Sequence, residues 1–189
     1  MKIESKLLLE DLEKRTINVL DQAIQYKMLN LETLNWKEND KSWSILECIE
    51  HLNRYSDFYI PEISSRINHS KNTSSSSFKS GLLGNYFAES MLPKANFKKI
   101  STFKSMNPLG SELDLECLNK FAEEQKNLLD ILEKCKSVDL NKVKTSISIS
   151  KLIKLKLGDT LRVLIFHNQR HMAQAKRTLE MSKVGSTVK

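Results

Sequence analysis

Glycine and proline are scarce in this chain, at five and three of 189 residues. So few turn formers leave little punctuation for a meander of short strands, which argues against a sheet-rich fold. Aromatic residues make up 7% of the chain and do not interleave with the basic ones. No stacking platform for nucleic acid is therefore written into the sequence. No apolar run is long enough to cross a bilayer, and Met1-Lys2-Ile3-Glu4 passes straight into an amphipathic pattern without the apolar core of a secretion signal. A cytoplasmic protein with no membrane span is expected. Cysteine is limited to Cys48, Cys117 and Cys135, an odd number, far apart and with no C-x-x-C. Buried free thiols in a reducing compartment account for them, since nothing beside them marks a nucleophile.

What is present fits an ordinary globular protein. Hydrophobic residues make up 40% and charged residues 28%. The length suits a single domain over 1–189 with a core large enough to need no disulfide. The net charge of +7 is compatible with nucleic acid, an anionic membrane or an anionic small molecule as partner. The lysines are scattered, however, as in Lys94, Lys98, Lys99 and Lys104, and again in Lys142, Lys144, Lys151, Lys154 and Lys156. Solubility explains them, and neither nucleic acid nor a membrane is the expected partner.

Apolar spacing of three and four residues marks four long helices. The first runs over 3–34, with Leu8, Leu12, Leu20, Ile24, Met28 and Leu31 as its stripe. The second runs over about 44–67. Ser44-Ile45-Leu46-Glu47 has the spacing of a capping box at its start, and Pro61 marks a kink or a break. The third spans 111–136, capped by Ser111 or Asp114, and the fourth about 159–181, followed by a tail over 182–189. Between helices two and three lies a long excursion, 68–110. It combines a serine-rich loop, a short helix around Leu82–Leu92 and irregular chain from Lys94 to Gly110. Connections of this length are often functional, and this one is read equally as a pocket wall or lid and as a surface cover. Ser146-Ile147-Ser148-Ile149-Ser150 alternates like a strand but has no evident partner, so it is read as extended chain. The expected fold is all-α, a four-helix bundle with one long crossover.

Histidine carries the chemistry. His167 and His171 stand four apart, so on a helix both imidazoles lie on one face and can reach one metal ion. His51 falls at the edge of the apolar face of helix two and is the candidate third ligand. Three histidines leave coordination positions open, which separates a catalytic site from a structural one. A metal so held would lower the pKa of a coordinated water or thiol, or act as a Lewis acid. The run is not H-E-x-x-H, because Asn168 follows His167, so a helix-borne glutamate base is missing there. Gln174, three residues after His171, is read equally as a contact to the site and as a polar helix edge. Arg170 is read as an ion-pair residue, Glu47 as a capping residue, Trp36 and Trp43 as packing, and His69 as an exposed loop residue. The other reading of a buried histidine is a satisfied core residue.

The run Trp43-Ser44-Ile45-Leu46-Glu47-Cys48-Ile49-Glu50-His51-Leu52 resembles the W-S-x-x-E-x-x-x-H-L run of the DinB-like/YfiT-like superfamily. His167-Asn168-Gln169-Arg170-His171-Met172-Ala173-Gln174 resembles its later H-x-x-R-H-x-x-Q run. The resemblance covers nearly the whole chain. It implies a four-helix bundle, commonly a homodimer, with a metal at His51, His167 and His171, zinc or nickel among the metals. It further implies a metal-dependent enzyme acting on a small molecule. Some members resemble S-transferases that use a low-molecular-weight thiol such as bacillithiol or mycothiol, and others are called hydrolases. The rival reading is a non-catalytic helical dimer module, metal-binding or metal-free.

Overall fold

The computed structural model describes residues 1–93 and 102–186. The expected irregular chain over 94–101 and the last three residues of the tail lie outside them. Four long helices, α1 (Ser5–Tyr26), α3 (Ile45–Asn68), α5 (Leu115–Cys135) and α6 (Leu157–Ser186), build the bundle. Both α5 and α6 pack against α1 and α3, so the ring runs α1, α5, α3, α6. The shorter α2 (Leu31–Asn35) and α4 (Leu82–Met91) sit outside it, α4 along α6. The fold is all-α in its essentials, as expected, with two small antiparallel sheets added at one end.

Those sheets correct the sequence reading. Strand β1 (Lys2–Glu4) pairs with β2 (Ser77–Lys79), inside what reads as a loop. Strand β3 (Lys144–Ile147) pairs with β4 (Ser150–Lys156), so the Ser146–Ser150 stretch is the turn of a hairpin and its flanks, not lone extended chain. The signal lay in the alternation of Ile153, Leu155 and Leu157 with Lys154 and Lys156, a period of two that merges in sequence with the apolar pattern of the next helix.

Helix ends obey their caps. Ser44 and Glu47 form the expected capping box on α3. Asp114, not Ser111, caps α5 by accepting from the Glu116 amide. Pro61 lies within a continuous α3, and α6 runs on through Ser186, past the expected end. The first helix stops at Tyr26, not Leu34, and buries a different stripe: Leu8, Leu9, Leu12, Thr16, Val19, Ala23 and Tyr26. Ile24, Met28 and Leu31 face solvent. Two adjacent stripes were available on this helix, and the one with small Thr16 and Ala23 allows the closer approach of its neighbours. Leu115, the first residue of α5, is likewise exposed.

The core falls into two apolar clusters. Each bundle helix passes from one to the other at buried polar residues: Thr16 on α1, Asn53 and Ser56 on α3, Glu124 and Gln125 on α5, and Asn168 on α6. Asn168 donates to Gln125 at 3.1 Å, and Asn53 to the Cys117 carbonyl at 3.0 Å. His51, His167 and His171 lie at the edge of this polar layer.

A buried ion pair fixes α4 against α6. Asp159 and Arg162 are almost wholly buried, their charged atoms 3.3 Å apart. Asp159 also accepts from the Ser80 hydroxyl and, at 2.8 Å, from the Gly81 amide. Arg162 reaches the Ser80 hydroxyl and the Asn85 side chain, each at 3.0 Å. The close approach depends on Gly84, where a Cβ would lie 2.4 Å from the Asp159 carboxyl carbon. Because that carboxylate is held on several sides, it cannot step aside. Gly84→Ala is therefore expected to destabilise the protein by roughly 1–3 kcal/mol despite its better helix propensity. Urea unfolding of the two proteins measures this.

Candidate metal centre

Two helices supply the site. The capping box sets the start of α3, which puts His51 on its second turn, facing α6. His167 and His171 stand one turn apart on α6 and meet it there. One nitrogen from each ring can be chosen so that all three lie within 4.8 Å of one another. His51 Nε2 and His167 Nε2 are 3.2 Å apart. Zinc bonds to imidazole of about 2.0–2.1 Å in a tetrahedral arrangement put neighbouring nitrogens roughly 3.3 Å apart. The His51–His167 spacing matches that of two ligands on one ion, and the His171 ring offers a third nitrogen within 4.8 Å.

The rings are oriented from behind. His51 Nδ1 donates to the Met106 carbonyl at 2.7 Å, which leaves its Nε2 lone pair facing His167. His171 Nδ1 donates to the Gln174 side-chain oxygen at 3.0 Å, which leaves the Nε2 lone pair free. Two aromatic rings wall the cluster. Trp43 lies 4.8 Å from His51 and 5.6 Å from His171, and Tyr55 lies 4.6 Å from His167, between ring centres. Trp43 packs, as expected, and the rings it packs against are those of the cluster.

Burial governs the electrostatics. It pushes the His51 pKa down from 6.5 to about 4, only partly opposed by the Met106 carbonyl. Burial and the neighbouring imidazoles hold His167 and His171 well below their ordinary value as well. The three rings are neutral at pH 7 with lone pairs available, the state in which histidine binds metal.

His51, His167 and His171 come together as expected. Gln174 touches the site through His171. Glu47 does not: its carboxylate takes the Ser44 amide, the Lys37 ammonium at 2.5 Å and the Gly110 amide at 2.7 Å. Arg170 reaches the Ser90 carbonyl of α4 at 3.2 Å. His69 is exposed and bonded to Ser65. The cysteines are buried free thiols, and burial raises Cys117 and Cys135 to about 12, the wrong direction for a nucleophile.

Sequence reasoning missed the contribution of the excursion. Residues 105–111 lie along α3, gripped by three of its side chains. Glu47 binds Gly110, which turns the chain at φ +79°. His51 binds Met106, and Arg54 donates to the Asn107 carbonyl at 2.9 Å while pairing with Glu50 at 2.8 Å. Spacings of four and three along α3 were the available signal, since they place Glu47, His51 and Arg54 on one face.

Burying neutral imidazoles makes stability depend on pH. In the metal-free protein the unfolded chain takes protons near pH 6.5, and folded His51 only near 4. The stability these rings allow is complete above about 6.5 and is lost as pH falls through that window. Glu124 acts in the opposite sense. Its burial raises it from 4.5 to about 8, so its contribution is greatest at low pH and is lost as pH rises between those values. With three histidines against one carboxyl, the melting temperature in chelator is expected to drop between pH 6.5 and 4.5. His167→Asn should flatten the decline, each histidine supplying at most about 1.4 kcal/mol per pH unit. An equal slope in both proteins would count against neutral burial.

Among the described residues, no helix is long and apolar enough to cross a membrane. No curated protein and no solved structure matches the chain. Residues 9–175 match the sequence pattern of the DinB superfamily. That span covers α3 and α5 whole, most of α1 and α6, and all three clustered histidines, and on it the chain belongs to the DinB superfamily.

Proposed function

We propose that the protein is a metal-dependent enzyme acting on a small molecule, with His51, His167 and His171 as the ligands of one divalent cation, zinc or nickel. The observation that carries this reading is the convergence of three buried imidazole nitrogens from two helices within 4.8 Å. When bound, such a cation supplies Lewis acidity and lowers the pKa of a coordinated water or thiol. The chain supplies the rest. The Met106 carbonyl and Gln174 hold two rings in the tautomer that presents Nε2. Trp43 and Tyr55 give the site an apolar wall that limits the access of water. The donor set contains no carboxylate, so the charge of a divalent cation stays uncompensated by its ligands and favours an anionic fourth partner, such as a thiolate or a deprotonated water.

Purified protein loaded with zinc, nickel or manganese is expected to hold one ion per chain by elemental analysis. His51→Ala, His167→Ala and His171→Ala should each lower that stoichiometry. Less than one ion per chain after loading with all three metals would favour a non-catalytic module. Assays of product formation with and without added thiol then separate an S-transferase, which requires the thiol, from a hydrolase, which proceeds in water alone.

Gln174→Leu tests the support of His171 separately. It should leave the fold intact and weaken zinc binding roughly 10–100-fold, measured by competition with a chelating dye. Unchanged affinity would make Gln174 a simple helix edge.

A further inference from the structure

Six lysines from separate parts of the sequence are brought together in the strands. The four strands carry Lys2, Lys79, Lys144, Lys151, Lys154 and Lys156, and against them the single carboxylate Glu4. That is a net excess of five, against seven for the whole chain. Two of the cross-strand pairs set like charges directly opposite one another, Lys2 with Lys79 and Lys144 with Lys156. Such pairs destabilise a sheet. Lys144 shows the strain, since burial and the opposing Lys156 hold its pKa below the ordinary value. The two sheets are also held side by side. Asn141 bonds the Ser77 carbonyl and the Lys79 amide, each at 2.9 Å, and Lys156 donates to the Lys79 carbonyl at 2.5 Å.

Large apolar side chains stand out of the same end. Leu152 on β4 is 94% exposed and Leu82, the first residue of α4, is 96% exposed. Leu83, Tyr86, Ile149 and Ile153 are exposed beside them, and α4 packs against β4. Leu82, Leu83 and Tyr86 share one face of α4.

We propose that this end of the bundle is a docking surface for an anionic lipid bilayer, with Lys2, Lys79, Lys144 and Lys154 on headgroup phosphates and Leu152 and Leu82 in the acyl boundary. The combination selects the partner. A nucleic-acid backbone would use the lysines and leave the leucines facing water, whereas a bilayer interface satisfies both. A second copy meeting this face about a two-fold axis would set lysines against lysines. The surface lies away from the metal centre, because ten residues of α6, roughly 15 Å, separate Leu157 from His167. Docking there keeps the lipid at a distance from the histidine site, and the inference does not depend on the proposed activity.

Vesicle co-sedimentation of the full chain tests it. Binding is expected to vesicles of phosphatidylcholine mixed with phosphatidylglycerol, not to phosphatidylcholine alone, and it should weaken with salt. Lys144→Gln and Lys154→Gln should each lower partitioning roughly fivefold. Leu152→Ser and Leu82→Ser should lower it too, with circular dichroism and melting temperature unchanged, since both side chains are already in water. Failure to bind the anionic vesicles would overturn the proposal. So would leucine variants that bind like wild type while lysine variants do not, or tighter binding to duplex DNA than to the vesicles. A dimer by light scattering that Leu152→Ser dissolves would reassign the face to self-association.

Discussion

Three neutral imidazoles pointing their lone pairs at one buried spot repel one another unless something positive sits between them. With His51 Nδ1 committed to the Met106 carbonyl, its Nε2 faces His167 Nε2 at 3.2 Å as an acceptor. A proton on His167 satisfies that contact, and so does a cation shared by all three rings. The geometry therefore suits either a hydrogen bond between neutral rings or a cation among the three. Burial prevents the rings from meeting it by each taking its own proton, as their depressed pKa values indicate. What remains is a preorganised set of donors whose neutral state persists far below pH 7.

The surrounding structure serves to hold that arrangement still. Polar residues divide the core at the level of the histidines, and the apolar clusters on either side clamp the helices above and below. On one flank, Glu47 and Arg54 bind the chain around Met106 one turn either side of His51. On the other, the buried Asp159–Arg162 pair and the Arg170 contact seat α4 along the helix that carries His167 and His171. Charged groups thus hold backbone segments against the two helices, and the guanidinium charges of Arg54 and Arg170 also help to keep the imidazoles neutral.

Much of this is legible in the sequence. The four long helices emerge from apolar spacing, and the capping box at Ser44 sets the phase that brings His51 to the buried edge. The four-residue spacing of His167 and His171 gives a pair on one face, and the place of His51 at the edge of the second helix's apolar face makes it the third candidate, which the motif resemblance reinforces. The strands are harder, because β1 and β2 are three residues each and owe their existence to a partner more than seventy positions away. The stripe of α1 is misleading because Thr16 and Ala23 contribute by being small, which no hydrophobic count rewards. The Met106 contact leaves no trace, since it uses a backbone carbonyl.

Reliance on a backbone carbonyl also governs how the site tolerates change. A ring held by a side chain can be set loose by one substitution at the holding residue, as Gln174 illustrates. A ring held by a main-chain oxygen cannot, for every amino acid brings the same carbonyl. Position 106 is free to drift in identity while His51 keeps its tautomer, provided that the anchors at Gly110 and Asn107 keep the chain in place. The selective burden therefore moves from the residue that makes the contact to Glu47 and Arg54, which never touch the imidazoles.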